Sequence, residues 1–276
     1  MKFAVTVISP PGYIHSAAFF EIAESLHYGL SMLGHDSVLT SEGQLPGRQH
    51  IVLGANLLPN YALPLAPDAI LYNLEQIQCG SSWISPALIE IYRRHTLWDY
   101  SCTNAAALAS LGVRVSRILP IGYASELTRI ERPNEPDIDV LFIGSMCPRR
   151  QHVIDLMRSR GLKVEVVFGV YGQQRDALVS RARLLINIHY YEAKVLEMVR
   201  ISYLLANHCT VLSERSSDAA EDDALAQAIA FSDYDELPRR AQELIESPDE
   251  LARLSRCGFE LMRSRPVAEY LRAALS

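Results

Sequence analysis

"LLINIHYYEAKVLEMVRISYLLANHCTVLSE" (residues 184–214) is the stretch on which the reading of this chain turns. An apolar run closes on Asn187-Ile188-His189. A short polar and aromatic stretch follows, then a segment with apolar residues at helical spacing, then a second apolar run ending on Ser213-Glu214. Two short buried runs joined through an amphipathic helix spell strand–helix–strand, and strands joined that way lie parallel. Helices cover a parallel sheet on both faces, so its ligands bind outside the carboxyl ends of the strands. His189, Glu192, Lys194, Glu197 and Arg200 crowd that position.

The same rhythm extends in both directions. Upstream, "VLFIGS" (140–145) predicts a strand, "PRRQHVIDLMRSRG" (148–161) a helix closed by Gly161, "KVEVVFGV" (163–170) a strand and "QQRDALVSRAR" (173–183) a helix. "AKVLEMVRISYLLANH" (193–208) reads as a helix, and two more follow at 234–247 and 247–265. The amino-terminal half repeats the architecture without repeating the sequence. "FAVTVIS" (3–9) is a buried strand, "PPGYIH" (10–15) a turn, and "SAAFFEIAESLHYGLSMLG" (16–34) a helix with Ser16 as cap and Gly34 as terminator. Strands are expected at 36–41, 50–56, 68–76 and 114–123, and helices at 86–94 and 103–111. The charged, proline-bearing stretch "SELTRIERPNEPDID" (125–139) has no period and reads as a linker. The expectation is an α/β chain of two Rossmann-like domains, 1–124 and 139–276, with a linker at 125–138 and a cleft between the domains; the last helix is a candidate to pack back on the first domain.

Composition bounds the function. With 276 residues, 49% hydrophobic and 21% charged, the chain has the make-up of a soluble globular protein. A net charge of −6 argues against a nonspecific nucleic-acid binder, so an anionic ligand has to be met by local basic groups. The five cysteines are odd in number, widely spaced and form no CxxC pair, which suits reduced, mostly packed thiols in the cytoplasm. No segment reaches 18 apolar residues, and Pro10-Pro11 cut off the apolar amino terminus. Contact with a membrane surface stays open.

"DVLFIGSMCPRR" (139–150), "ARLLINIH" (182–189) and "KVLEMVRISYLLANHCTVLSE" (194–214) together resemble the donor domain of GT-B glycosyltransferases, in the flavour of the CgeB-like, spore-protein glycosyltransferase group. That group has an F-x-G-S start, an L-N-x-H strand and an E-x-x-R helix. The opening "VISPPGYIHSAAFFEIAESLHYGLSMLGHDSVL" (7–39) is similar to the acceptor domain of the same fold. The resemblance covers about two thirds of the chain in pattern. It implies a nucleotide-sugar donor as substrate, a ribose-binding role for Glu197, and a general base at His15.

The residues support those roles in their own terms. A carboxylate at Glu197, at the start of a helix, can accept from two vicinal ribose hydroxyls, as acidic residues do in dinucleotide sites; a helix glutamate favoured by the macrodipole is the plainer alternative. Gly144-Ser145 followed by Arg149 and Arg150 offers backbone amides and guanidinium to a phosphate. Arg200, three residues past Glu197, shares its helical face, either as a scaffold pair or as a phosphate contact. His189 ends a strand and Lys194 lies in the loop, both candidates to meet the donor. Tyr190 and Tyr191 are candidates to stack on base or sugar. In the first half His15, in a loop after a strand, titrates in the right range to take a proton from an acceptor hydroxyl. Glu75 at another strand end is a second base or an orienting partner. His35 reads as structural.

Two formal DxD matches, Asp137/Asp139 and Asp233/Asp235, sit before a strand and at a helix start, so they read as caps or turns and no catalytic metal or other cofactor is expected. A nicotinamide enzyme is disfavoured, since no G-x-G-x-x-G follows a strand. A non-hydrolysing nucleotide-sugar epimerase and a non-catalytic binding protein on the same fold are the alternatives. The acceptor, whether glycan, protein or small molecule, is not legible.

Overall fold

The computed structural model describes residues 1–78, 84–133 and 135–276, so Cys79 lies outside the described residues. The chain divides into two compact units, 1–127 with 265–276, and 128–264. Each is built on one parallel sheet.

In the first unit, β1 (Lys2–Val7) is rich in β-branched and aromatic residues and is buried from Phe3 onward. A 3-10 turn, Ile14–Phe19, leads into helix α1 (Phe20–Met32). Ser16 therefore lies inside the turn and caps nothing; its hydroxyl is buried without a partner. Strands β2 (Asp36–Thr40), β3 (Gln49–Leu53) and β4 (Ile70–Asn73) follow. Helix α2 (Pro86–Arg94) starts with proline at its first turn, and the Ser85 hydroxyl accepts from the Leu88 amide at 3.2 Å. Strand β5 (Thr96–Asp99), helix α3 (Cys102–Ser110) and the two-residue strand β6 (Arg117–Ile118) complete the series. The sheet order is β2-β1-β3-β4-β5-β6, all parallel.

The second unit contains β7 (Ile138–Ile143), α4 (Pro148–Ser159), β8 (Val164–Val167), α5 (Gly172–Arg181), β9 (Ala182–Asn187), α6 (Met198–Ala206), β10 (Val211–Glu214), α7 (Ala219–Leu225), β11 (Ala230–Ser232), α8 (Leu237–Glu246) and α9 (Pro248–Arg263). Its sheet order, β11-β10-β9-β7-β8, is the same winding as in the first unit: the second strand on one side of the first, the third and later strands on the other. The chain reverses direction across each sheet between its first and third strands, and this is where such sheets open a crevice for a ligand. One face of the second sheet packs on α4 and α8 through Val153, Ile154, Met157, Leu237, Ala241 and Leu244, all fully buried. Each of these side chains other than Ala241 contributes about 1.5–3 kcal/mol when removed from water.

The last helix, α10 (Val267–Leu275), belongs to the first unit. Two glycines allow its close approach. A Cβ on Gly29 of α1 would stand 2.8 Å from Leu271 Cδ1, and one on Gly122 would stand 2.5 Å from Val267 Cα. The Tyr123 amide donates to Arg265 O and the Val267 amide to Tyr123 O, at 2.8 and 2.9 Å.

Several elements differ from the sequence expectation. The helix expected over 193–208 begins only at Met198: Lys194 adopts a left-handed backbone (φ +46) that no helix runs through, and Glu197 (φ −81, ψ 56) is the non-helical residue before the first turn. Strands β5 and β11 and helix α7 had no clear period and are additions. Of the cysteines, Cys102, Cys147, Cys209 and Cys257 are free thiols, but only Cys209 is buried. No described helix is long and apolar enough to cross a membrane.

Candidate functional site

In the second unit the sheet's reversal lies between the ends of β7 and β9, and one buried side chain bridges the two. Arg150, only 3% exposed, donates from Nε to Ile188 O at 2.9 Å and from Nη1 to Ser145 O at 2.8 Å, joining the two strand ends. Gly144 leaves room for it: an added Cβ would lie 3.4 Å from Arg150 Nη1 and 3.2 Å from both Arg200 Nη1 and Phe142 Cζ. The Gly144 amide is committed to the sheet, donating to Val167 O at 2.9 Å. Burial pulls the Arg150 guanidinium below its ordinary value, with the Glu197 charge opposing that.

Glu214, at the end of β10, is the hub of a second cluster. Its carboxylate is 1% exposed and accepts from Arg149 Nη1 and Nη2 at 2.6 and 2.7 Å, from the His189 amide at 3.1 Å, and pairs with Lys194 Nζ at 3.1 Å. These donors hold it below the usual carboxylate range against the pull of burial. Arg149 also donates to His189 O at 2.9 Å, and its guanidinium lies 4.1 Å from the centre of the Tyr234 ring.

Glu197 stands at the N-cap position of α6. Arg200 donates to its Oε2 at 2.6 Å, to Asn187 Oδ1 at 2.7 Å and to Ile143 O, and Arg150 lies 3.6 Å from its Oε1. The carboxylate is thus aimed by two guanidiniums that are themselves anchored to strand ends.

The placement of Arg149, Arg150, Gly144, Ser145 and His189 differs from the sequence expectation. Arg149 and Arg150 were expected to face a phosphate; both turn inward, because carboxylate and carbonyl acceptors already lie within their reach in the fold. The Gly144-Ser145 turn gives its glycine amide to the sheet and its serine carbonyl to Arg150. His189 is fully buried, and neither ring nitrogen has a hydrogen-bond partner among the described residues. Burial lowers its pKa, which favours the neutral imidazole. Tyr191 packs edge-on against the half-exposed Tyr190, with ring centres 5.0 Å apart. Lys194 is the cation of this group with the most exposed side chain, 41%.

In the first unit the corresponding strand ends carry His15, Tyr13, Asn56 and Glu75. The half-buried His15 lies in the 3-10 turn, with the Tyr13 ring edge-on to it at 5.3 Å. Glu75 follows β4 by two residues and receives a long bond from Asn56 Nδ2 at 3.5 Å. Burial raises its pKa, and its charge in turn helps to raise that of Tyr13.

A network that sequence reading missed holds the Glu75 backbone. Asp99, fully buried at the end of β5, accepts from Asn73 Nδ2 at 2.6 Å, the Ser101 amide at 2.8 Å and Asn104 Nδ2 at 3.1 Å. Asn73 and Asn104 also donate to Glu75 O at 2.9 and 3.0 Å. Burial pushes the Asp99 carboxyl up to about 7. The available signal was Trp98-Asp99-Tyr100-Ser101, an apolar end followed by a helix cap, but four residues were too few to announce a strand.

Asp137 pairs with Arg181 at 2.6 Å and Asp139 with Arg183 at 3.2 Å, Asp139 lying within β7 rather than in a turn. Among the described residues no group of three or more His, Cys, Asp or Glu side chains could hold a metal ion.

No family model matches this chain. Uncharacterized protein L140 of Acanthamoeba polyphaga mimivirus is 29% identical over 203 residues, 68% of this chain and 62% of L140. Uncharacterized protein L138 of the same virus is 38% identical over 104 residues, 37% of this chain and 12% of L138. A ribosomal RNA small subunit methyltransferase G from Mycolicibacterium paratuberculosis is 30% identical over 112 residues, 37% of this chain and 45% of that protein. This chain thus spans less than two thirds of the length of each. Among solved structures, Anabaena HepE in complex with UDP-glucose matches with a TM-score of 0.63 at 12% identity, over 100% of this chain and 99% of that one. Sucrose-phosphate synthase from Thermosynechococcus elongatus matches with a TM-score of 0.62 at 11% identity, over 99% and 98%. With two parallel sheets of like winding and these neighbours over its full length, the chain has the GT-B fold.

Proposed function

We propose that this chain is a glycosyltransferase of the CgeB-like group that moves a sugar from a nucleotide-sugar donor to an acceptor hydroxyl, by direct displacement with inversion and without a metal. The observation that carries the reading is Glu197, a carboxylate at the start of α6 aimed by Arg150 and Arg200 beside the reversal point of the second sheet. A carboxylate in that position suits two vicinal ribose hydroxyls. HepE, a full-length structural neighbour, holds UDP-glucose, which supports the same ligand class here.

In this reading Lys194 meets the diphosphate, because its side chain, 41% exposed, is the most open of these cations; its pair with Glu214 fixes where the ammonium stands. Arg149, Arg150, Arg200 and Glu214 form the frame that fixes Glu197 and Lys194. His15 takes the proton of the acceptor hydroxyl as its oxygen attacks C1 of the sugar. The bond from C1 to the diphosphate breaks, and the nucleoside diphosphate leaves with the electron pair. Glu75, with its raised pKa, is the second base. Free thiols at Cys102, Cys147, Cys209 and Cys257 support the cytoplasm as the compartment of this reading.

A thermal-shift series with UDP-, GDP-, TDP- and CMP-sugars tests donor binding, since a ligand of the native state raises Tm. Glu197→Ala is expected to weaken nucleotide binding, and unchanged affinity by calorimetry rejects its role. His15→Ala is expected to abolish transfer and spare donor binding; near-normal turnover overturns the base assignment. Conversion of the nucleotide sugar without acceptor would instead mark an epimerase, and binding without turnover a non-catalytic protein.

A further inference from the structure

Two loops of the second unit meet beside Glu214, and one residue joins them. The loop between β9 and α6 carries Lys194, and the loop between β10 and α7 carries Ser217. The Ser217 amide donates to Lys194 O at 3.0 Å, and the Ser217 hydroxyl donates to Ala193 O at 2.8 Å. Two successive carbonyls thus converge on a single residue. An extended chain points successive carbonyls to opposite sides; here the chain turns instead, with the Lys194 amide closing on Tyr191 O at 3.2 Å and Lys194 itself left-handed at φ +46. That backbone is unfavourable for a residue with a Cβ, so something must hold it, and Ser217 is placed to do so.

The second loop is itself anchored. The Arg215 amide donates to Ser232 O at 3.0 Å, and the Ser216 amide to Asp222 Oδ2 at 2.8 Å. Asp222 is fully buried, and its Oδ1 has no partner among the described residues. A buried carboxylate with an unpaired oxygen costs stability, and this one holds the amide next to Ser217. The Lys194 ammonium stands 3.1 Å from Glu214 Oε1, three residues before Ser217. One short stretch of chain therefore fixes both the backbone and the charge of Lys194.

We propose that Ser217 is a positioning residue for the donor site: its amide and hydroxyl set the Lys194 backbone, and with it the place where the ammonium meets a diphosphate. The inference rests on the transferase reading for its ligand, while the arrangement it describes exists in the free protein.

The chain has three lysines, Lys2, Lys163 and Lys194, and the first two are exposed controls. Trace acetylation of the full chain with acetic anhydride, read by mass spectrometry, gives the reactivity of Lys194 relative to theirs. A side chain pinned to Glu214 meets the reagent less often than a free one. Ser217→Ala removes the hydroxyl and keeps the amide; it is expected to raise that ratio about threefold, and Ser217→Thr to restore it. Loosening of the whole fold speeds all three lysines alike, so a change in the ratio is specific to Lys194. By calorimetry UDP is expected to bind Ser217→Ala about threefold more weakly, with uridine, which lacks the diphosphate, unchanged. A ratio that does not move in Ser217→Ala, or that rises as much in Ser217→Thr, overturns the proposal, and so does an equal loss of UDP and uridine affinity. The two readings fail separately. A ratio that responds in a chain that binds no UDP keeps Ser217 as the residue that places Lys194 and removes UDP-sugars as donors; UDP binding with a flat ratio removes Ser217 and leaves the transferase reading standing.

Discussion

Replacing Asp99 with asparagine should change how the stability of this protein depends on pH. The carboxyl is fully buried, and burial raises its pKa from the ordinary aspartate value of 3.8 to about 7, against the pull of the Asn73, Ser101, Asn104 and Tyr100 donors. A folded-state value above the unfolded one means that the unfolded chain loses its proton first as pH rises. Stability from this group is complete below pH 3.8 and is lost as pH climbs through 7. At 1.36 kcal/mol per pH unit, the whole interval is worth about 4 kcal/mol, and the part between pH 5 and pH 8 about 2.5 kcal/mol. Asparagine carries no such dependence, although its amide would face Asn73 Nδ2 donor to donor at a constant cost of about 1–3 kcal/mol. Urea unfolding of both proteins at pH 5, 6, 7 and 8 isolates the group, because every other titrating residue cancels in the difference. The advantage of the wild type over Asp99→Asn is expected to shrink by about 2.5 kcal/mol across that range. A difference that stays flat to within about 0.5 kcal/mol would mean that the surrounding donors outweigh burial, and the reasoning would be refuted.

Other substitutions probe the second unit. Glu214→Ala strips the partner from Arg149 and Lys194 and leaves the buried His189 amide unpaired, and with Arg149 one-third exposed the expected loss is about 2–3 kcal/mol by urea unfolding; a loss below about 1 kcal/mol would show that the cluster is not a structural hub. Lys194→Gly relieves a left-handed backbone that costs a side chain about 1–2 kcal/mol, so Tm should hold or rise while UDP-sugar affinity falls. A fall in Tm together with unchanged affinity would remove Lys194 from the donor site.

The layers of this fold were legible because burial on both faces of a parallel strand writes an unbroken apolar run, as in Phe3–Val7 and Val140–Phe142, whatever its neighbours are. The two-unit design was legible for the same reason, as was the concentration of charge after the strand ending at Asn187. Strands as short as β5 and β11 were not, since three or four residues carry too little pattern and become strands only by pairing with β4 and β10.

The sequence by itself determined which residues stand at strand ends, and therefore that His15, Glu75, Lys194 and Glu197 lie at the carboxyl edges of parallel sheets. Only the tertiary structure decided what each charge does there. Arg149 meets Glu214 across 65 residues of chain, and Arg150 reaches Ile188 O across 38, so both leave the role their own neighbourhood suggested. The physical reason is that a guanidinium follows the acceptors the fold brings within about 3 Å in a water-poor site, and local spacing does not encode that distance.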